Sequence, residues 1–450
     1  MQQIDFSQGS IRRRILAVAT PMLIAQLLNL LYNIVDRIYI GKIPGEGTLA
    51  LASIGLCFPF VTLITAFANL FGLGGAPLCA MARGKGNREG AQGIMVNAGF
   101  MLLLSGAVLT VLGIAFHRPL LYLFGASEVT YPYASSYIVI YLIGTLCVML
   151  SLGLNPYINC QGFARTGMLT VALGAAANIV LDPIFIFALH LGVRGAAIAT
   201  VLSQFLSAAW VVKFLTGKKA ELKLDFRGFR PDWHCIQRIT VLGIASFVMS
   251  FTDTLVQVAC NATLRNFGGD LYISVMTVLN SVRQIAQTPV LAIADGASTA
   301  ISYNYGARLY RRTRDAIRFM TQLAFGYTVL SWLLISLFPA AFIRIFNQDA
   351  AMLRAAIPSL HIYFFGFVMM AFQYSGQSTF RALGRAKYAV FFSLLRKAFI
   401  VVPLTLLLPY CWNLGVSGVF AAEPVSNCIG GLACYFTMRH VVMPELKMEN

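Results

Sequence analysis

Leu191-Gly192-Val193-Arg194-Gly195-Ala196 returns in the second half of the chain as Leu414-Gly415-Val416-Ser417-Gly418-Val419, at an offset of 223 residues. Other pairs repeat around it in the same order. Leu123-Phe124-Gly125 matches Ile345-Phe346-Asn347 at an offset of 222, and the glycine-punctuated stretch from Gly74 to Gly84 matches Gly296 to Gly306. Gln161-Gly162-Phe163-Ala164-Arg165 stands against Thr379-Phe380-Arg381-Ala382. One such match arises by chance. Several in order at a nearly constant offset argue for a duplicated chain.

What repeats is apolar. Apolar runs fall at approximately 15–36, 50–76, 91–116, 133–157, 168–190, 195–216, 237–262, 272–298, 317–340, 357–378, 387–409 and 415–438. Turn-forming clusters such as Gly41-Lys42-Ile43-Pro44-Gly45, Arg83-Gly84-Lys85-Gly86-Asn87 and Phe267-Gly268-Gly269-Asp270 separate them. Hydrophobic residues make up 58% of the 450, charged residues only 11%, and the mean hydropathy is +0.73. A soluble domain carries about 25% charged residues. This chain cannot cover a water-facing surface, so its solvent is largely lipid. A crossing helix needs about 20 mostly apolar residues, which leaves room for twelve with short connectors.

The basic residues test that count. With the N-terminus inside and the gaps numbered alternately, 24 Lys and Arg fall inside, 7 outside and 3 (Arg283, Arg396, Lys397) within spans. The inside set holds Arg12 to Arg14, the Arg83/Lys85/Arg88 group, Arg165, the loop from Lys213 to Arg238, the Arg308 to Arg318 cluster, Arg381/Arg385/Lys387 and the C-terminus. A wrong count would scramble this asymmetry, so the positive-inside rule supports twelve spans with both termini cytoplasmic. Each copy then holds six spans. Six is even, so both copies enter the membrane in the same orientation, a parallel repeat. The expected fold is an all-α membrane protein with twelve transmembrane helices in two pseudo-symmetric six-helix lobes. The expected organisation is an N-lobe over 1–216, a cytoplasmic linker over 217–235 and a C-lobe over 236–450. The expected location is the bacterial inner (cytoplasmic) membrane, crossed many times.

Composition and missing motifs exclude several functions. The net charge is +17, but the basic residues sit in short gaps between apolar runs. That pattern fits topology signals and anionic lipid headgroups, and no aromatic-plus-basic module for nucleic acid appears. The nine cysteines form no C-x-x-C pair and read as small core residues. The run after Arg12 to Arg14 outlasts a signal-peptide h-region and has no small-residue cleavage site, so it reads as the first membrane helix. No Walker A run, H-E-x-x-H or G-x-S-x-G is present. Neither ATP hydrolysis nor a membrane enzyme is indicated, and no cofactor is expected. Transport coupled to an ion gradient is.

Ionisable residues inside spans are costly and normally face a cavity or a partner. Here they are Asp36, Asp182, Asp253, Arg283, Asp295, His361, Arg396, Lys397 and Glu423. Asp36 ends the first span. Asn178 and Asp182 lie four apart on one helix face, and Pro183 frees carbonyls beside Asp182 by removing a backbone donor. Thr200 lies in the next span. Two carboxylates, an amide oxygen and a hydroxyl make an oxygen-rich pocket able to hold Na⁺. Alternatively, two close carboxylates in low dielectric cannot both stay ionised, which makes a proton site. The plain structural alternative has Asp36 capping its helix and pairing with Arg37 or Arg194.

In the second half, Asp253 and Asp295 are candidate substrate acids, with Asn280, Arg283, Gln284 and Gln287 on the same span as Asp295. The alternative is a buried Asp253–Arg283 pair that only fixes register. Glu423 is expected to pair with Arg396 or Lys397, and His361 to be a hydrogen-bonded helix residue. The many Phe, Tyr and Met residues suit cationic cargo wherever they line a cavity.

The ordered set of motifs resembles the multidrug and toxic compound extrusion (MATE) transporters, especially their MepA-like bacterial branch. The likeness is carried by Pro21 with Asn33-Ile34-Val35-Asp36-Arg37, Ala82-Arg83-Gly84, Asn178 to Pro183, Gly195-Ala196-Ala197-Ile198-Ala199-Thr200, Asp295-Gly296 and Tyr303-Asn304-Tyr305-Gly306. The resemblance implies two lobes closing alternately around a central cleft and antiport of drugs against H⁺ or Na⁺. It assigns the cation site, or the Na⁺ ligands, to Asp36, Asn178, Asp182 and Thr200. It makes Pro21 and Pro183 helix-bending positions. Asp253 and Asp295, with Arg283 and Gln284, are then expected at the substrate cavity. Asp295 is shorter than the glutamate expected there, and the tenth span has no acid; Gln373 is its nearest polar residue. The expected partners are small organic cations and the bilayer, with no nucleic acid, and the expected state is a monomer. A flippase for lipid-linked saccharides is the alternative. It would need a cationic cavity for pyrophosphate and more typically fourteen spans. Export of one dedicated metabolite is a second alternative.

Overall fold

The computed structural model describes residues 3–346 and 349–448. Among them every regular element is helical. Long helical spans follow one another: Ile11–Gly41, Leu49–Gly84, Arg88–Leu123, a bent fourth (Tyr131–Ile143 with Thr145–Cys160), Ala164–Ala188 and Gly192–Thr216. The second half runs Trp233–Gly269, 271–306, Tyr310–Leu337, a bent tenth (Ala350–Phe364 with Phe367–Ala382), Ala386–Leu407 and Val416–Met448. The seventh and eighth form one 74-residue helical run interrupted at Gly269, whose φ of 65° and ψ of −163° only glycine adopts without strain. The fourth and tenth bend by 55° and 40°.

Ten of these spans are long and apolar enough to cross a bilayer, counting each bent pair as one. The other two, the eighth and twelfth, complete the count but fail the apolar test. The eighth carries Asn280, Arg283, Gln284, Gln287 and Asp295, and the twelfth carries Glu423, Asn427, Arg439 and His440. Their polarity marks spans that line something other than lipid.

The chain packs as two compact units. One holds Met1–Asp5 and Thr20–Phe247, the other Phe6–Ala19 and Val248–Asn450. This division falls at Phe247/Val248, beyond the 217–235 linker, and it groups the helical turns up to Ala19 with the second unit. Close backbone contact explains both placements. A methyl added to Gly243 would overlap the Leu70 carbonyl, so the seventh span begins pressed against the second. In the second unit, Gly296 packs on the backbone of Ala19 in the same manner. Small residues allow such approach, and packing drives helix association in lipid. Arg312 fastens the segment before the first span by donating to the carbonyls of Phe6 and Gly9 at 3.0 and 2.9 Å.

The linker is no free tether. Glu221 accepts from Gln3 at 2.7 Å and forms an ion pair with Arg83, while the Leu222 amide donates to Gln161 at 2.9 Å. Leu222 and Leu224 are buried. All nine cysteines are free.

Candidate functional site

The first unit gathers its polar site residues from three spans. Asn178 and Asp182 are both buried on one face of the fifth, and the Asn178 amide donates to Asp182 Oδ1 at 3.1 Å. The same amide lies 3.5 Å from Thr200 Oγ1 on the sixth. Asp36, near the end of the first, faces Asp182 within hydrogen-bonding reach. Tyr32 and Tyr137 border the pair.

The sequence builds this locally at Pro183. The α-helix ends there and a π-helical turn, Ile184–Ala188, follows, with the Leu189 amide reaching the Ile184 carbonyl at 2.9 Å. Such turns re-aim side chains and recur at functional sites. Pro21, by contrast, sits inside a helix that stays continuous from Ile11 to Gly41, one residue past the junction between the units.

Three oxygens at this site have no donor: Asp36 Oδ1, Asp182 Oδ2 and Asn178 Oδ1 are all buried without a hydrogen-bond partner. Among the described residues no Lys or Arg lies within ion-pair distance of either aspartate. Arg37 instead stacks over Phe58, 5.1 Å from the ring centre. A buried cluster with acceptors in excess and no cation is chemically incomplete. A proton or a hard, oxygen-loving cation would complete it.

The second unit encloses a cavity of about 250 Å³ with a different chemistry. Glu423 Oε1 is its hub. It lies 2.6 Å from Arg283 of the eighth span, 3.0 Å from Arg396 and 3.1 Å from Lys397 of the eleventh. Lys397 also reaches Asp253 on the seventh at 3.0 Å, and that acid is half exposed. Here too a π-helical turn, Leu395–Val401, presents the functional residues. Arg283 donates to the Tyr363 hydroxyl at 2.9 Å, Tyr363 donates to Asn280 at 2.8 Å, and Asn280 donates to Gln257 at 2.7 Å.

Asp253, Arg283 and Gln284 thus line one cavity. Asp295 does not; it lies 3.5 Å from Arg381. The Asp253–Arg283 pair read as an alternative is replaced by Asp253–Lys397 and Arg283–Glu423. Glu423 joins both partners named for it. Gln373 is buried with neither amide atom partnered, outside the cavity lining. Gln257 and Tyr363 were not anticipated. Gln257 carried a signal, since it stands four residues after Asp253 on one helix face, whereas Tyr363 is one aromatic among many.

Known proteins extend this picture. The family model described as MatE matches the chain twice, over residues 21–184 and 245–407, once in each half. The multidrug export protein MepA of Staphylococcus haemolyticus is 26% identical over 317 residues, 70% of this chain and 69% of that one. The FAD transporter of Shewanella oneidensis is 25% identical over 444 residues, 96% of each chain. A multidrug resistance MATE family transporter of the MOP superfamily, solved in an outward-facing conformation, superposes with a TM-score of 0.93 at 24% identity, covering 100% of this chain and 99% of its own.

Proposed function

This chain belongs to the MatE family, a MepA-like transporter of twelve helices in two lobes and not an enzyme, and from that premise we propose that it is a secondary active exporter. It exchanges small organic compounds for H⁺ or Na⁺ by alternating access across a bacterial inner membrane, as a monomer. The observation that carries the coupling role is the trio of donorless buried oxygens beside a facing carboxyl pair in the first unit.

The pair supports two loading states. A proton shared between Asp36 and Asp182 relieves the repulsion of two like charges in low dielectric. A sodium ion would draw on Asp36, Asn178, Asp182 and Thr200, an all-oxygen donor set that suits a hard cation. Either ion cancels charge that the fold leaves uncompensated. Loading from outside and unloading inside would then bias the span geometry, with Pro183 and its π turn, and Pro21 beside the junction, as points of bending.

The relatives' names suggest two cargo readings. Multidrug export follows the MepA relatives. A dedicated metabolite follows the FAD transporter, which aligns over nearly the whole chain. The candidate substrate acids Asp253 and Asp295 are both engaged by basic partners. The cavity in the second unit is basic. The charge objection to a saccharide-pyrophosphate flippase therefore lapses. The small volume, below the roughly 300–1,000 Å³ of drug-sized sites, still speaks against so large a cargo.

The test is efflux of ethidium, and of candidate anions, from cells lacking their own pumps. Wild type and Asp36→Asn are compared with and without a proton uncoupler and in sodium-free buffer. Efflux should need Asp36 and should collapse with uncoupler or on sodium removal. Wild-type rates in the variant would overturn the coupling assignment.

A further inference from the structure

Each unit places charge between the first, fifth and sixth spans of its repeat, and the two clusters have opposite balance. Asp36, Asn178, Asp182 and Thr200 make an acceptor-only site in the first. In the second, the corresponding seventh, eleventh and twelfth spans supply Asp253, Arg396, Lys397 and Glu423, and the eighth adds Arg283. Three cations stand against two carboxylates, and among the described residues no other acid lines the cavity. One positive charge is left over.

A cluster that only fixed helix register would close its balance, since an uncompensated charge away from water is costly. This one stays open on the cavity side. Glu423 Oε1 is saturated by three basic groups, and Asp253 is half exposed and engaged by Lys397. Arg283 Nε has no partner, nor has Gln287 Oε1. Arg396 and Lys397 are buried, so water cannot solvate the surplus freely.

We infer that this cavity binds an oxyanion, the carboxylate or phosphate end of a small organic compound, with the Nε edge of Arg283 as its main contact. The inference deepens the exporter reading by naming the charge of its cargo, and it rests on that reading for the cavity's role. A planar guanidinium pairs with carboxylate or phosphate through two parallel donors. About 250 Å³ holds such a head and roughly one ring. Tyr363 and Tyr374 line the space for that ring, and Gln284 offers an amide to its substituents. Cation coupling in one unit and an anionic cargo group in the other would divide the work between the two copies of the repeat.

The test is equilibrium binding to the purified full-length chain in lipid nanodiscs. The probes are three coumarins of matched ring size, bearing an acetate, a phosphate monoester or a neutral methyl, with ethidium as the cation. One of the anionic coumarins should bind at least roughly tenfold more tightly than the neutral one, and added salt should weaken it. The better of the two distinguishes a carboxylate from a phosphate site. Arg283→Gln should lose roughly tenfold. Asp253→Asn removes the half-exposed acid, leaves the Glu423 contacts in place, and should tighten anion binding severalfold. Should Arg283→Gln fail to fold, the Asp253→Asn result decides alone. Equal binding of neutral and anionic coumarins, preference for ethidium, or weaker anion binding in Asp253→Asn would overturn the inference. Failed anion binding with ion-dependent ethidium efflux intact sinks this inference and spares the exporter reading. Anion binding without efflux of any compound does the opposite.

Discussion

Asp182 shows what a single residue is asked to do here. It is fully buried, it accepts from Asn178 at 3.1 Å, and its second oxygen has no donor. Replacing it with Asn keeps size and the acceptor facing Asn178 but removes the charge that the proposed coupling ion would cancel. Asp182→Asn is expected to fold, to reach the membrane in wild-type amounts and to lose ion-driven efflux. Retained efflux in a transport assay would remove Asp182 from the coupling site. Asp182→Leu is expected to cost more in stability, about 1–3 kcal/mol, because the Asn178 amide would lose its carboxylate partner in a buried place. In the second unit the order of damage follows from contact geometry. Glu423→Gln leaves three basic groups facing one another and is expected to cost about 3–5 kcal/mol, the range for breaking a buried pair. Asp253→Asn, at a half-exposed acid, should cost under about 1 kcal/mol. Thermal unfolding of the purified variants in one detergent checks this ranking. A harmless Glu423→Gln would mean that the cluster does not hold the fold.

At the scale of elements, the contact between the second and seventh spans is set by hydrogen in place of a side chain. Gly243→Leu would drive a branched side chain into the Leu70 carbonyl and should lower the melting temperature and the yield. Gly93→Ala meets nothing within 4 Å and should be neutral or slightly stabilising, since alanine favours helix by about 1 kcal/mol. Melting curves of the two variants, compared side by side, test how much stability the close approach carries. These elements also show what could be read from the chain alone. Repeats, apolar runs and the basic asymmetry revealed the helices and the duplication, because lipid enforces length and charge rules that periodicity records directly. The Asn178/Asp182 face was legible because i and i+4 adjacency is local. Spans eight and twelve were legible as helices even though their polar residues defeat a plain hydropathy test. The Glu423 hub was legible only in part, since its partners lie 26 to 140 residues away in sequence and Arg283 could as well have taken Asp253. The Asp295–Arg381 pair was not legible for the same reason. The π turns carry no signature beyond a nearby proline. The exchange of residues 6–19 and 233–247 between units depends on backbone contact, which no pattern of side chains reports.

That exchange has a consequence for the whole molecule. Each compact unit is finished by a segment that the other half of the chain supplies. The helical turns up to Ala19 pack with Gly296 in the second unit, and the start of the seventh span packs with Leu70 in the first. Residues 225–228 of the linker are exposed, so a cut between Arg227 and Gly228 removes no buried contact. Fragment 1–227 would then lack the helix that covers Leu70, and fragment 228–450 would lack the turns that cover Gly296. Neither fragment is expected to accumulate when made alone. Unburied small-residue faces gain no packing in lipid, and incomplete units are removed by proteolysis. Made together, the two should assemble, co-purify through a tag on one of them, and restore a large part of the efflux seen with the intact chain. The Arg83–Glu221 ion pair and the Gln161–Leu222 bond stay within the first fragment, so the linker's hold on the first unit survives the cut. Membrane levels of each fragment, alone and together, make the measurement. If 1–227 were stable and abundant by itself, the six-span half would be self-sufficient and the exchanged segments dispensable. If co-expression failed to rescue either fragment, covalent continuity through the linker would be needed to bring each segment to its unit.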